Sequence, residues 1–231
     1  FIADSINWSF NASNNFDIII DNTTNIATIS YELGWRGSEF IKFIATNPLG
    51  DSSSNSARFL VGKILSDTSY CDFTLIKSES PYIIENTIRI PSECSMHVES
   101  GVQIALHNQV DIIVNGHLEF YGNETDIIHL FALNETWGAI LLDSTAKKSI
   151  FNYVLFENAT YGEDSLKTNA AISGYYSDFD IEFSSFKNNL RSIYAYYGDV
   201  YINNNFFYET NFGEKINLQF SSAITENCIL Y

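Results

Sequence analysis

Basic residues are scarce in this chain. Its 231 residues include 12 Lys and Arg against 28 Asp and Glu, which gives a formal net charge of −16 at pH 7 and a pI near 4.4. So few cations cannot neutralise a phosphate backbone, which excludes nucleic acid as a partner. The negative charge also disfavours polyanionic substrates and anionic membranes. No apolar run approaches the roughly 20 residues that cross a bilayer, and this predicts no membrane insertion.

Familiar catalytic and metal motifs are missing as well. The sequence has no Gly-x-Ser-x-Gly motif, no glycine-rich phosphate loop and no Cys-x-x-Cys pair. Without them we predict neither catalytic residues nor a metal site. We therefore predict that the protein is not an enzyme, and a glycoside hydrolase or a polysaccharide lyase is the alternative to this prediction.

The chain contains only three prolines and one methionine, and Val, Ile, Thr, Tyr and Phe fill its apolar positions. This composition predicts an all-β protein. Short units bounded by large apolar residues recur at a long and fairly regular interval, with asparagine crowding their ends at 188–189 and 203–205. The units begin at Ile128, Phe151, Ile181, Tyr201 and Ile224. Such a period of short strand-like units predicts a stacked β-solenoid, because no unit buries its apolar face alone.

The three cysteines fit this period. Cys71 and Cys94 are separated by the same interval as Ile128 and Phe151, so they are predicted to lie on adjacent coils and to form a disulfide; two buried free thiols are the alternative. Cys228 is left over, which predicts an intermolecular disulfide or a free thiol.

Residues 1 to about 63 follow another pattern, in which short alternating strands are joined by Asn-, Asp- and Gly-rich turns, as in a β-sandwich. The segments Ile6–Ser9, Gly34–Glu39 and Phe43–Ser52 resemble the cadherin-like, Ig-like modules of bacterial surface proteins. The resemblance implies a partial Ig-like β-sandwich that lacks its first strand or strands. It also implies bound Ca²⁺, although this chain has Asn47 where the family usually carries Asp before the proline.

The later part resembles right-handed parallel β-helix proteins of the pectin-lyase-like superfamily. The matching segments are Ile88–Glu93, Met96–Ile104, Val114–Gly122 and Trp137–Ile140. The resemblance implies three parts: an Ig-like β-sandwich over 1–64, a linker with a first strand over 65–79, and a right-handed parallel β-helix over 80–231. The Asn-Thr-Asp, Asp-Asp, Gly-His-Gly and Arg-Ile-Lys motifs of the pectin hydrolases are absent, which favours a non-enzymatic surface protein.

Histidines recur at nearly the same period. His97 and His117 are about one period apart, and so are His107 and His129, so each pair could stack on neighbouring coils. The spacing places no carboxylate in a fixed register with these histidines, so we predict that they are surface histidines rather than metal ligands.

Carboxylates and tyrosines form a second cluster. Asp178 and Asp180 lie one coil from Asp199, and paired carboxylates are what glycoside hydrolysis requires. Outward tyrosines can stack on sugar rings. The predicted sugar-contact surface consists of Tyr175, Tyr176, Tyr196, Tyr197, Asp178 and Asp199.

Six Asn-x-Ser/Thr sequons occur, and in a eukaryotic source we expect N-linked glycans on several of them. They lie at Asn7, Asn11, Asn22, Asn123, Asn134 and Asn158. A polar stretch over 161–169 is predicted to protrude from its coil as a loop.

Both ends of the chain are predicted to be open, because the first module lacks a strand and the last unit ends on apolar residues without a polar cap. The leading hypothesis is therefore an extracellular structural protein. It would be a filament subunit or a stalk segment of a cell-surface protein that contacts copies of itself or adjoining domains. A carbohydrate-binding or carbohydrate-cleaving β-helix is the alternative, and calcium-dependent adhesion is a third hypothesis. Since the chain starts at Phe1, we expect a processed form or a segment.

Overall fold

The computed structural model describes residues 6–208 and 215–230. The chain forms two compact units that divide between Gly62 and Lys63. Regular structure in the described ranges is almost entirely strand; the one helix there is a single 3₁₀ turn, Lys77–Glu79.

The first unit contains two antiparallel sheets. Its strands are β1 (Asn7–Phe10), β2 (Phe16–Asp21), β3 (Ile26–Tyr31), β4 (Gly37–Thr46) and β5 (Ser52–Val61). One sheet has the order β1-β4-β5, and β2 pairs with β3 in the other. The ring of Phe16 on β2 lies 5.5 Å from that of Phe59 on β5 and 5.0 Å from that of Trp35. These aromatic contacts join the two sheets.

The repeat predicts a β-solenoid, and the second unit is one: a right-handed parallel β-solenoid of about seven turns. Sheet 1 consists of β9 (Ile88–Ile90), β12 (Ile112–Val114), β15 (Ile140–Asp143), β18 (Ile172–Tyr175), β21 (Ile193–Tyr196) and β24 (Ile216–Gln219). Sheet 2 consists of β7 (Phe73–Leu75), β10 (Ser95–Glu99), β13 (His117–Tyr121), β16 (Ser149–Asn152), β19 (Phe179–Glu182), β22 (Asp199–Asn203) and β25 (Ser222–Glu226). Sheet 3 consists of β6 (Lys63–Leu65), β8 (Tyr82–Ile84), β11 (Gln103–Leu106), β14 (Ile128–Ala132), β17 (Val154–Glu157), β20 (Ser185–Lys187), β23 (Phe206–Tyr208) and β26 (Ile229–Leu230).

The chain passes from sheet 1 to sheet 2 to sheet 3 in each complete coil. The segment 65–79, expected to be a linker with a first strand, contains β7, and β6 ends at its first residue. Both strands pair in parallel with strands of the solenoid, β6 with β8 and β7 with β10. The solenoid therefore starts at Lys63.

The solenoid interior is filled by alternate residues of each strand. Phe156, Phe186 and Phe207 are fully buried and stack along sheet 3, with ring centroids 4.8 and 5.0 Å apart. Offset stacking of aromatic rings at this separation adds about 0.5–1.5 kcal/mol per pair beyond area burial. Because the strands are in parallel register, the three rings form a continuous aromatic ladder from coil to coil.

Buried asparagine side chains form hydrogen bonds with backbone groups on the inner side of the corners. Asn189 and Asn205 are fully buried. The Asn205 Oδ1 accepts from the backbone N–H of Ser184 at 2.8 Å, and its Nδ2 donates to the carbonyl of Ile181 at 2.8 Å. Asn189 bonds in the same way to Ala159 and Phe156 one coil earlier. The asparagine clusters seen in the sequence thus satisfy backbone groups where the strands cannot.

The outer side of the corners carries residues with positive φ, stacked in columns from coil to coil. The columns are Ser144, Tyr176, Tyr197 and Phe220; Tyr153, Phe183, Asn204 and Asn227; and Asn158 and Asn188. Asparagine tolerates this conformation, whereas a bulky side chain in it is unusual. The aromatic members stack on one another, for example Tyr153 on Phe183 at 4.9 Å, and this contact offsets part of the backbone cost.

Candidate functional site

The outer face of sheet 2 carries unbroken rows of side chains that run along the solenoid. Burial alternates along β10, β13, β19 and β22, so every second residue points outwards. The central row consists of Thr74, His97, Glu119, Ile150, Asp180, Tyr201 and Ile224. The edge row consists of Glu99, Tyr121, Asn152, Glu182, Asn203 and Glu226.

Two histidines share one carboxylate in the first half of this face. The His97 Nδ1 lies 2.5 Å from Glu119 Oε2, and the His117 Nε2 lies 2.9 Å from Glu119 Oε1. Burial alone raises the pKa of Glu119, but the hydrogen bond and charge of His117 and the charge of His97 outweigh it and hold that pKa below its usual value. The carboxylate is therefore ionised and orients both imidazoles.

Ser95 extends this cluster. Its Oγ lies 3.4 Å from His97 Nε2 and donates to Asp72 Oδ1 at 3.0 Å. The same Asp72 oxygen accepts from the Ser95 backbone N–H at 3.2 Å. A disulfide joins Cys71 to Cys94, as predicted, so the residues directly before Asp72 and Ser95 are linked covalently. The hydroxyl is thus held between a carboxylate and an imidazole.

This cluster lines a cavity of about 260 Å³ that also includes Gly116 and Lys147. A Cβ on Gly116 would lie 2.0 Å from the carbonyl oxygen of Cys94 and 2.4 Å from that of Pro91. Only glycine therefore fits where the β12–β13 corner passes over the preceding coil. Lys147 is exposed and forms no hydrogen bond or ion pair with any residue that the structure describes.

The second half of the face holds the predicted carboxylates. Lys148 lies 3.1 Å from Asp180 Oδ1, and the Asp199 backbone N–H donates to Asp178 Oδ1 at 2.8 Å. Ser222 donates its hydroxyl to Asp199. An open groove is lined here by Lys148, Asp180, Asp199, Val200, Tyr201, Ser222, Ala223 and Ile224.

Tyr201 adds an aromatic ring to that groove. Partial desolvation and the neighbouring carboxylates of Glu226, Glu182 and Asp180 raise the pKa of its phenol. The hydroxyl therefore remains protonated beside a set of acceptors. Sequence reasoning missed this residue as part of a site, although it heads one of the repeated units.

The four predicted tyrosines do form one cluster, but at the corner between sheets 1 and 2. Tyr176 and Tyr197 are about half exposed, and their rings stack 5.4 Å apart with an interplanar angle of 3°. Tyr196 packs edge-on against both, and Tyr175 lies 5.8 Å from Tyr196. Because the two exposed rings turn their faces towards each other, this cluster offers mostly ring edges to a sugar.

Sheet 1 has its outer face partly covered by residues 160–169. Most residues of the predicted loop over 161–169 are exposed, and Leu166 is 82% exposed, but the loop is also held to the solenoid at several points. The Tyr175 hydroxyl donates to the Leu166 carbonyl at 2.7 Å, and Lys167 Nζ lies 2.8 Å from Asp143 Oδ2. This loop leaves the face of sheet 2 open.

A buried carboxylate fixes the start of the same loop. Asp111 is 1% exposed. Its Oδ1 accepts from the Ala139 backbone N–H at 2.7 Å and its Oδ2 from that of Glu163 at 3.0 Å. Burial raises the pKa of Asp111 to about 6; the two backbone hydrogen bonds oppose that rise, and the charges of Glu163 and Asp164 add to it.

The remaining histidines lie apart. The expected stacking of His107 with His129 is wrong, because the parallel register sets Gln103 beside His129. His129 Nε2 lies 3.0 Å from Glu157 Oε2, and Lys187 Nζ lies 2.9 Å from Glu157 Oε1. In the described ranges no group of three or more His, Cys, Asp or Glu side chains is arranged to hold a metal ion.

Five of the six sequon asparagines are exposed, namely Asn7, Asn11, Asn22, Asn123 and Asn134. Asn158 is partly buried at a corner with φ of 66°. Cys228 has a free, partly buried thiol in the last described coil. Helices long and apolar enough to cross a membrane do not occur in residues 6–208 and 215–230.

Comparison with protein-family models, with curated proteins and with solved structures gave no match to this chain. The site is therefore interpreted from its own geometry.

Proposed function

We propose that the protein is an extracellular structural and adhesive β-solenoid that binds an extended, uncharged polymer, a neutral polysaccharide, along the outer face of sheet 2. The observation that carries this proposal is the unbroken central row, in which seven coils present one outward side chain each in strict register. Side chains repeated at the strand spacing of about 4.8 Å suit a ligand that is itself extended and repetitive.

The chemistry of the face favours hydroxyl groups as its ligands. Carboxylates accept from hydroxyls, Lys148 donates to them, and the Tyr201 ring provides an apolar surface beside them. The net charge of −16 opposes a polyanion, since repulsion would act along the whole face. A neutral polysaccharide satisfies all these conditions.

An extracellular location is part of the proposal. The Cys71–Cys94 disulfide is typical of oxidising compartments, and five sequons are exposed. The two facing antiparallel sheets of the first unit support a partial Ig-like module. The three-sheet parallel coil supports a pectin-lyase-like solenoid. Calcium remains a hypothesis for the first unit.

Isothermal titration with soluble neutral, anionic and cationic polysaccharides tests the proposal. We expect binding to a neutral polymer, weakened tenfold or more by Tyr201→Ala. The matched control is Tyr161→Ala, which removes an exposed tyrosine from the loop over sheet 1 and should leave affinity unchanged. Absence of binding at millimolar repeat units, or equal losses in both variants, would refute the proposal.

Assembly is a second candidate function. The last described coil exposes Phe220, Ile224 and Leu230 by 72, 57 and 59%, and exposed apolar side chains of this size are typical of interaction surfaces. We infer that another copy of this chain covers it. Sedimentation velocity of the protein and of an Ile224→Lys variant tests for copies: a concentration-dependent rise in mass that the variant lacks supports assembly, and a monomer at all concentrations refutes it.

A further inference from the structure

A hydroxyl, an imidazole and a carboxylate follow one another across two strands of sheet 2. Ser95 and His97 are two residues apart on β10, so both point outwards, and Glu119 is paired with His97 from β13. The Ser95 Oγ lies 3.4 Å from His97 Nε2, and the opposite nitrogen, Nδ1, lies 2.5 Å from Glu119 Oε2. The order is that of an acyl-transfer triad, which is recognised by geometry and not by sequence position.

We propose that Ser95, His97 and Glu119 hydrolyse carboxylic esters of short acyl groups, with Ser95 as the nucleophile. The serine-to-imidazole distance is longer than an ideal hydrogen bond, as is common before substrate binds. This activity is additional to polymer binding and does not depend on it, because a small ester is enough to test it.

The surroundings of Ser95 fit this role. Asp72 accepts a hydrogen bond from its backbone N–H and from its hydroxyl. The Cys71–Cys94 disulfide links the residues preceding Asp72 and Ser95. The nucleophile is therefore held on a covalently closed segment, as preorganised catalysis requires.

The cavity itself sets the substrate class. At about 260 Å³ it has room for a short acyl group. Lys147 lines it and is the cation available to a developing oxyanion. Asp72, Glu93 and Glu119 line it as well, so a neutral ester enters more readily than an acidic one.

The chemical steps balance without any further reactant than water. The Ser95 hydroxyl proton first turns from Asp72 Oδ1 to His97 Nε2. Ser95 Oγ then attacks the ester carbonyl while this proton passes to His97 Nε2, and the attack forms the C–O bond of a tetrahedral oxyanion. The oxyanion collapses, the alkoxide leaves with the proton from His97, and an acyl-serine remains. Water then attacks the acyl group with His97 again as base, releasing the carboxylic acid and free Ser95. Glu119 stabilises the imidazolium, and His117 is a positioning residue that orients Glu119 through its 2.9 Å contact.

Hydrolysis of p-nitrophenyl acetate by the full, oxidised chain tests the proposal. We expect Ser95→Ala and His97→Gln each to lower kcat/KM at least 100-fold. Glu119→Gln should lower kcat while KM stays near its original value. The matched control is His129→Gln on sheet 3, where a histidine also lies against a glutamate, Glu157. It should leave the rate unchanged.

A fluorophosphonate probe gives a second readout that does not rely on a variant folding. Mass spectrometry should place the label on Ser95 in the unaltered protein, and His97→Gln should abolish labelling. Circular dichroism confirms that each variant is folded. The proposal is overturned if no serine is labelled, if folded Ser95→Ala keeps its activity, or if His129→Gln loses as much activity as His97→Gln, since ordinary imidazole hydrolysis would then explain the rate.

Discussion

Asp111 makes the stability of the solenoid depend on pH in an unusual direction. The carboxyl is 1% exposed, and burial raises its pKa to about 6 from 3.8. The folded state therefore binds a proton more tightly than the unfolded chain does. A group with a raised folded pKa contributes stability that is fully present below about pH 4 and is lost as the pH rises through about 6.

The magnitude follows from the size of the shift. A rise of about 2 pH units, at about 1.4 kcal/mol each, corresponds to about 3 kcal/mol. Asp111→Asn removes the titration. It also removes one of the two acceptor oxygens that serve the N–H groups of Ala139 and Glu163. That loss lowers stability by about 1–3 kcal/mol at every pH. The part of the stability difference that changes with pH therefore measures the effect of ionising Asp111 alone.

Urea denaturation of both proteins, followed by circular dichroism between pH 4 and 7 at constant ionic strength, measures the effect. We expect the stability of the unaltered protein relative to Asp111→Asn to fall by about 2–3 kcal/mol across this range. The groups that face Asp111 with charge are Glu163 and Asp164, and Asp164→Asn should reduce the fall only slightly. A difference between the two proteins that stays constant, or that grows with pH, would contradict the assignment of a buried, proton-binding Asp111.

Two further predictions concern the corners. Asn205→Ala should lower the free energy of unfolding by about 2–4 kcal/mol, because it leaves the Ser184 N–H and a buried carbonyl unpaired; Asn203→Ala, at a partly exposed position, should cost less than about 1 kcal/mol in the same denaturation assay. Tyr197 has φ of 53°, so Tyr197→Gly should be more stable than Tyr197→Ala by about 1 kcal/mol. At Tyr201, in a strand, the order of Gly and Ala should be reversed, and the same order at both positions would refute the conformational argument.

The sequence was sufficient to predict the solenoid, but not which sheet each repeated unit occupies or which of its residues face the interior. Four of the repeated units run from sheet 2 across a corner into sheet 3, whereas the unit at Ile128 lies in sheet 3 from its first residue. Phe151 and Ile181 face inwards, yet Tyr201 pairs with Asp180 and faces outwards. A large apolar residue at the expected interval therefore does not identify the interior position.

Coil length explains why side-chain neighbours were harder to predict than strands. On sheet 2 the chain from Ser95 to its partner His117 is much shorter than the chain from Glu119 to its partner Ile150. The coil that follows β10 is also two residues longer than the interval between His97 and His117, so the register sets His97 beside Glu119 instead of His117. The predicted histidine pair thus becomes a histidine–glutamate–histidine cluster.

The Ser95 cluster shows how chemistry can arise on a solenoid without a local motif. A strand places residues two apart on the same face, which accounts for Ser95 and His97. The third member comes from the next coil, whose distance along the chain is set by corner lengths such as the one that Gly116 allows. Catalytic geometry of this kind depends on two spacings together: the interval of two residues within a strand and the number of residues in a coil. Motif searches detect only the first, so we expect such sites on solenoids to be found from strand register rather than from sequence signatures.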